Sequence, residues 1–400
     1  MINVDIAIVG GGITGASLAA LLDDIGLTSQ CSVALIDLAD VEAAVDLSEF
    51  DPRVVALSSA SQEILTQANV WQALTKLRAC AYQSMYVWDA EGTGNIRFSA
   101  DDIQQTNLGH IVENKVLVHV LNQRLAGIHN LIQLRGAGLE QIHADCGYQR
   151  LLLSNAEQVR AQLVIGADGA KSKVRELAHF ETKAWAYGQK AIVTTVETQH
   201  SHAFCAWQRF SPVGPLAFLP LSRSGQDDKT SSIVWSLDDD IADQNMALSD
   251  DDFKVALAEA LEWRLGDIHE LDRRVAIPLR QSFATRYCQP GVVLVGDAAH
   301  AIHPLAGQGV NMGLYDVAAL AEELGRAQQR GLALNEMATL RRYERVRQPH
   351  NLMAMAVMEM FKRGFGNDAL LLRYLRNTGM SLANKQYPLK RFFARMAAGA

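Results

Sequence analysis

Val4-Asp5-Ile6-Ala7-Ile8-Val9-Gly10-Gly11-Gly12-Ile13-Thr14-Gly15 is a short apolar run broken by a glycine cluster, and Ala16 to Leu22 continues it with the apolar spacing of a helix. Strand, glycine turn and helix follow one another as in G-x-G-x-x-G. In that pattern Gly10 permits the tight turn, Gly12 lets a pyrophosphate approach the backbone, and Gly15 lets the helix pack closely on the strand. A second apolar strand, Ser32 to Ile36, ends in Asp37, 27 residues beyond Gly10. A carboxylate there is placed to accept hydrogen bonds from an unphosphorylated adenosine ribose. The stretch therefore implies a doubly wound α/β unit holding a dinucleotide, with FAD and NAD both compatible.

Two distant segments add to this. Gly296-Asp297-Ala298-Ala299-His300 closes an apolar strand, Val292 to Val295. It leads to His303-Pro304-Leu305-Ala306-Gly307-Gln308-Gly309-Val310-Asn311-Met312-Gly313-Leu314-Tyr315-Asp316, a loop entering a helix that Asn311 opens. Glycines in such a loop bring backbone N–H groups close to a ligand, and the helix aims its positive end at an electron-rich ring carbonyl. A plain capping turn uses the same residues. The other segment, Leu163-Val164-Ile165-Gly166-Ala167-Asp168-Gly169-Ala170-Lys171-Ser172-Lys173-Val174-Arg175, is a buried strand that breaks at Asp168-Gly169 and enters a helix near Ser172.

In order and spacing these three motifs resemble the signatures of single-component aromatic flavoprotein monooxygenases. Within that group His303 to Asp316 resembles the ubiquinone-biosynthesis hydroxylases (UbiH/COQ6 type). Leu108-Gly109-His110-Ile111-Val112-Glu113-Asn114, Ser84-Met85-Tyr86-Val87-Trp88-Asp89 and Ile233-Val234-Trp235-Ser236-Leu237 resemble the polyprenylphenol hydroxylase branch, the VisC/UbiI type. The likeness covers nearly the whole chain. It implies an α/β protein of the para-hydroxybenzoate hydroxylase-like fold, a Rossmann-like FAD-binding domain interleaved with a mostly antiparallel substrate sheet. The FAD domain is expected from 1–75, 106–182 and 280–345, the substrate domain from 76–105 and 183–279, and a helical region from 346–400.

The resemblance also implies roles. FAD is bound, NADPH or NADH is a transient electron donor, and O2 is a co-substrate. Asp297 holds the ribityl chain. Arg53 lies beside the flavin, where a surface ion pair is the plainer use of an arginine. Glu113 and Asn114 contact the adenosine or ribityl portion, or simply cap a helix. Asp168 and Gly169 serve flavin and nicotinamide, with Arg175 tying the motif in place. Pro304, Gly307, Gln308, Gly309 and Asn311 form the catalytic wall along the isoalloxazine, and the Gly309-Val310-Asn311 backbone stabilises reduced flavin. The implied reaction passes through a flavin C4a-hydroperoxide, which transfers one oxygen atom to the ring of a polyprenylphenol. A flavin oxidoreductase on another aromatic or isoprenoid compound, and a flavin-binding assembly subunit without turnover, are the alternatives.

Composition agrees with an enzyme of this kind. A chain of 400 residues, 49% hydrophobic, can bury a large core. It contains no run of 18 apolar residues and begins directly on its first strand, which points to the cytoplasm. The five cysteines lack C-x-x-C spacing and read as reduced thiols, and the 11 histidines form no metal pattern. A net charge of −7 weighs against nucleic acid as a partner.

From Glu359 onward basic residues (Lys362, Arg363, Arg373, Arg376, Lys385, Lys390, Arg391, Arg395) alternate with apolar ones. This suggests peripheral contact with the inner membrane, or with other ubiquinone-biosynthesis proteins, as alternatives to helices packed on the body. Ala191 to Val196, Leu216 to Leu219 and Ser232 to Leu237 read as strands. Asp238 to Asp252 reads as an exposed acidic loop before a helix capped at Ser249. Phe204, Trp207, Phe210, Leu216, Phe218, Leu219 and Trp235 are candidates to line an apolar pocket for a prenylated phenol, or else belong to the core.

Overall fold

The computed structural model describes residues 1–40, 45–223, 225, 227–302 and 308–365, with side chains as far as residue 360. Its first sheet runs in the order Leu131–Arg135, Val33–Asp37, Ile2–Val9, Gln158–Gly166, Val292–Leu294, Cys288–Gln289. Pairing is parallel from Leu131–Arg135 through Val292–Leu294. Ile6, Ile8, Val33, Leu35, Leu163 and Ile165 are wholly buried, as strands covered on both faces must be. The registers Val9 to Ile36, Val9 to Gly166 and Gly166 to Leu294 bring the carboxyl ends of four strands level. All three glycine motifs leave the sheet at that edge.

The second sheet is built around Thr182–Thr198, which pairs antiparallel with Thr230–Asp238 and Val275–Ala284. Gly214–Pro220, Cys205–Ser211, Ser84–Asp89 and Asn95–Ser99 extend it. Side chains alternate between its faces. On one face Trp88, Leu216, Phe218, Ile233 and Trp235 pack with Phe253 and Leu257, beneath the helices Asp239–Ala247 and Asp250–Ala260. On the other, Val87, Ala206, Phe210 and Leu219 share a core with Phe50, Val54, Ala56 and Ile111, residues of a small sheet made by Val54–Leu57, Gly109–Glu113 and Cys80–Tyr82, and of the loop before it.

Several expectations change here. Trp207, Leu216, Phe218 and Trp235 lie on the helix-covered face and are core, while Phe210 and Leu219 face the first sheet's side. Phe204 sits outside the strands against His202. The boundary expected at 280 falls inside Val275–Ala284, which belongs wholly to the second sheet and also pairs with His300–Ala301. The boundary expected at 345 falls inside the continuous helix Met337–Phe365. The acidic loop contains the helix Asp239–Ala247, because Asp239 and Asp240 suit a helix start and Ala242 and Ile241 give it a buried face. Pro304, Gly307 and the basic tail beyond Phe365 lie outside the described residues. Among the described residues no helix is long and apolar enough to cross a membrane.

One buried carboxylate joins the parts. Asp316, on the helix Gly309–Gln329, is fully buried. Its Oδ2 accepts from the Gly296 N–H at 3.0 Å and from His300 Nε2 at 2.5 Å. Its Oδ1 accepts from Arg347 Nε at 2.8 Å and Asn351 Nδ2 at 3.0 Å. Burial alone would raise its pKa, but His300, Arg347 and Asn351 together hold it below the ordinary carboxylate value of 3.8. A carboxylate lowered in this way stabilises the fold above that value, and the contribution is lost as pH falls through the lowered one. Asp316→Asn is therefore expected to cost about 3 kcal/mol at pH 7 by leaving Arg347 without its buried partner. Urea denaturation should show the gap from the native protein narrowing below pH 4.

Candidate active site

The glycine turn is held by close approach. Gly10 has φ +104°, and a Cβ on it would lie 2.4 Å from Ala167 O; one on Gly15 would lie 1.9 Å from Gly10 O. A Cβ on Gly12 would meet nothing within 4 Å, although Gly12 caps the helix Ile13–Asp24. Gly169, at φ +78°, is likewise open. The first N–H groups of the helix after Gly12 have no intrahelical acceptor. Positive dipole ends and open glycines on one edge make a cradle for an anionic, extended group.

Thr14 joins the motifs. A Cβ on Gly296 would lie 3.0 Å from the Thr14 side chain, and one on Gly313 would lie 3.0 Å from Thr14 Oγ1. The start of the helix Gly309–Gln329 stands over Asp297, since a Cβ on Gly309 would lie 3.7 Å from Asp297 Oδ1. Asp297 is exposed, although protein atoms crowd one side of its carboxylate. That crowding raises its pKa, with Asp316 adding to the shift and His300 and Arg175 opposing it.

The structure gives several site candidates partners inside the protein. Asp37 Oδ2 accepts from Arg135 Nη1 at 3.1 Å beside Gly11. Asp168 accepts from Ser172 Oγ at 2.5 Å, Lys173 N at 2.6 Å and Val174 N at 3.1 Å, so its carboxylate holds the helix Lys173–Leu177. Arg175 donates to Ala298 O at 2.8 Å and Ala170 O at 2.7 Å, linking the two Asp motifs through their backbones.

Glu113 stands at the N-cap of the helix Asn114–Ala126, but its side chain makes no capping hydrogen bond. Its Oε1 accepts from Asp51 N at 2.7 Å, and its Oε2 lies 2.5 Å from Arg78 Nε. Asn114 Oδ1 is buried with no partner among the described residues. The Asn311 side chain turns away from the edge: Oδ1 accepts from Ser58 N at 3.0 Å and Ser61 Oγ at 2.6 Å, and Nδ2 donates to Ala56 O at 2.8 Å. Its amide anchors the helix, and only its backbone N–H remains for a ligand. Gln308 precedes the helix without a side-chain cap, and Val310 packs on the core.

Arg53 is exposed, on a loop fastened from several directions. Arg78 donates to Leu47 O at 2.9 Å and Glu49 O at 3.1 Å, Lys115 Nζ to Glu49 O at 2.7 Å, and Arg223 to Ser48 O at 2.5 Å. Arg78 and Arg223 stand 4.3 Å and 5.0 Å from the Phe50 ring centroid. Thr14, Arg78, Lys115 and Asp316 were missed as positioning residues. Only Asp316 carried a signal, an acid within the apolar run Met312 to Leu320.

The edge fits FAD. Gly12 and Gly169 are open, Asn114 Oδ1 lacks a partner among the described residues, and Asp297 sits beside a long helix start. Gly12→Ala should leave the melting temperature of the flavin-free protein unchanged but weaken FAD binding on the order of tenfold. Gly15→Ala should destabilise both forms, as thermal melts with and without added FAD would show.

Comparison with known proteins agrees with this geometry. The model of the FAD binding domain family matches residues 3–358. The 3-demethoxyubiquinol 3-hydroxylase of Escherichia coli is 38% identical over 400 residues, covering 99% of this chain and 98% of that protein. The ubiquinone hydroxylase UbiL of Rhodospirillum rubrum is 36% identical, with 99% and 89% covered. The crystal structure of p-nitrophenol 4-monooxygenase PnpA from Pseudomonas putida aligns with a TM-score of 0.80 at 19% identity, covering 100% of this chain and 99% of that one, and shows the shared aromatic-hydroxylase fold. This chain belongs to the ubiquinone-biosynthesis family of FAD-dependent aromatic hydroxylases, monooxygenases that use FAD, a reductant and O2.

Proposed function

We propose that the enzyme hydroxylates the ring of a prenylated phenol or hydroquinol on the way to ubiquinone. The observation that carries this is the convergence of Gly12, Gly169, Asp297 and the Gly309–Gln329 helix start on one edge, in a chain similar over its full length to a 3-demethoxyubiquinol 3-hydroxylase. Bound FAD supplies O2 activation and delivery of one oxygen atom to the substrate.

The protein's own contribution is positional and electrostatic. The helix start presents backbone N–H groups toward Asp297, where they favour negative charge on a bound ring. Asn311, Ser58 and Ser61 lock that helix against Ala56, so its donors need no rearrangement when charge develops. Asp297, exposed on that edge, can accept from ligand hydroxyls. Because a single dinucleotide fingerprint is present, we assign NADPH or NADH a transient visit.

The segments Leu108 to Asn114, Ser84 to Asp89 and Ile233 to Leu237 favour the polyprenylphenol branch, and the Escherichia coli relative favours the later 3-hydroxylation. We favour the second, on the extent of that likeness. The test is mass spectrometry of quinone intermediates in a bacterial host lacking its own 3-demethoxyubiquinol hydroxylase. The native chain should clear the accumulated 3-demethoxy compound and carry one 18O atom from 18O2 into product, whereas Asp297→Ala should lower the conversion rate at least tenfold. Rescue of a polyprenylphenol-hydroxylase-deficient host alone would move the assignment to the earlier step, and rescue of neither would remove the ubiquinone substrate.

A further inference from the structure

A cavity of about 360 Å³ opens beside the loop of residues 47–53, apart from the cofactor edge, and one wall of it is the surface of two paired strands. In the antiparallel ladder between Thr182–Thr198 and Ile268–Leu271, Glu197 stands directly opposite Glu270. The same register continues to Asp272, whose N–H donates to Thr195 O at 2.9 Å. Side chains alternate between the faces of a strand, so Thr195, Glu197, Glu270 and Asp272 project from one face, and all four line the cavity. They form two rows, Glu197 with Glu270 and Thr195 with Asp272, about 7 Å apart along the strands. Asp227 adds a fourth carboxylate from the loop before Thr230–Asp238.

Like charges directly opposite on paired strands are destabilising. Asp227 is satisfied within the protein, accepting from Lys229 N at 3.2 Å and Thr230 Oγ1 at 2.9 Å. Glu197, Glu270 and Asp272 have neither an ion-pair partner nor a hydrogen-bond donor for their carboxylates among the described residues. Arg223 is the one cation among the described lining residues, and it is engaged elsewhere: it donates to Ser48 O at 2.5 Å and lies 5.0 Å from the Phe50 ring centroid. Burial raises the Asp272 pKa, Glu49 and Glu270 add to the shift, and Arg223 opposes it without reversing it. Thr195 is a separate sign of a missing ligand. It is 4% exposed, and its Oγ1 has no hydrogen-bond partner among the described residues. A buried hydroxyl left unpaired is costly, so a donor that completes it is favoured.

A metal ion draws its oxygen ligands to about 2.0–2.6 Å, and among the described residues no group of three or more His, Cys, Asp or Glu side chains is arranged to hold one. An ammonium group has three N–H donors and bonds carboxylates at about 2.7–2.9 Å, so it bridges carboxylates that stand farther apart. Four carboxylates against one guanidinium call for more than one positive charge, and the two rows are separated by about 7 Å, within reach of a four-carbon chain. Phe50, immobilised between Arg78 and Arg223, supplies an apolar wall for methylene groups. We propose that this cavity binds an aliphatic diamine cation, with one ammonium bridging Glu197 and Glu270, the other donating to Asp272 and Thr195 Oγ1, and the carbon chain packed on Phe50. The site is independent of the ring substrate, and its occupancy bears on the loop that carries Arg53, since Phe50 and Arg223 both hold that loop.

The test is calorimetric titration of the FAD-loaded full-length protein with putrescine, with ethylenediamine as a diamine too short to span the rows, butanediol as the uncharged analogue, and magnesium chloride at matched ionic strength. Putrescine should bind more tightly than the other three. Glu270→Gln and Asp272→Asn should each raise its Kd about tenfold, and Thr195→Val about threefold. Thermal melts give a second readout. Without ligand, Glu270→Gln should melt no lower than the native protein, because it removes a like-charge contact, and putrescine should raise the melting temperature of the native protein but not of the variants. Absence of putrescine binding, equal affinity in the native protein and the Glu270 and Asp272 variants, or a rise in melting temperature from magnesium chloride as large as that from putrescine would each overturn the assignment.

Discussion

The Asp316 carboxylate is the constraint on which the site depends. A charge taken wholly out of water is tolerated only when its lone pairs are filled, and four donors from three places fill these: the Gly296 N–H, His300, and Arg347 with Asn351. Those places are the turn that carries Asp297, the strand that crosses to the second sheet, and the last described helix. Satisfying one side chain therefore fixes where the strand Val292–Leu294 ends, how the helix Gly309–Gln329 lies over it, and where Met337–Phe365 docks. The geometry at Asp297 follows from a requirement that has nothing to do with the ligand.

A second constraint acts on the loop that carries Arg53. The loop bearing Arg53 lies between two sheets and has little secondary structure of its own, yet cations reach its carbonyls from both sides. Arg78 is nearly buried and is neutralised by Glu113, so it can serve as a rigid post. Arg223 comes from the second sheet's side. The loop thus ties the position of Arg53 to the relation between the sheets, through contacts and without any long-range device.

The parts of this structure legible in the sequence are those written in local patterns. Ile6 to Val9, Val33 to Ile36 and Leu163 to Ile165 are strands because continuous apolar runs are buried on both faces, and Gly10 and Gly15 are legible because only glycine tolerates their contacts. Side-chain direction was not legible. Asn311, Glu113 and Asp168 stand at the expected places in the chain, but each points to a partner distant or local within the protein, and nothing in spacing reveals which way an amide or carboxylate turns. The aromatic residues of the second sheet were ambiguous for a related reason. Alternation shows that Leu216 and Phe218 share a face, but which face meets a helix depends on Phe253 and Leu257, more than thirty residues on. The interruption at Asp239–Ala247 was missed because charge suggested solvent where the same acids also suit a helix start.

The order of strands in the first sheet bears on how the protein is made. Ile2–Val9 leaves the ribosome before its neighbours but sits in the middle of the sheet, between Val33–Asp37 and Gln158–Gly166, and Val292–Leu294 pairs with Gln158–Gly166 only after the long intervening second-sheet segment has been made. Non-local parallel pairing is slow, and until it is complete the apolar strand edges are open to wrong partners. The cofactor edge, assembled from Gly10 to Asn311, comes into being only once the chain through Asn311 has been made. A complete cradle for flavin therefore waits on the segment through Asn311, and the supply of flavin from then on bears on how much of the protein reaches its native state.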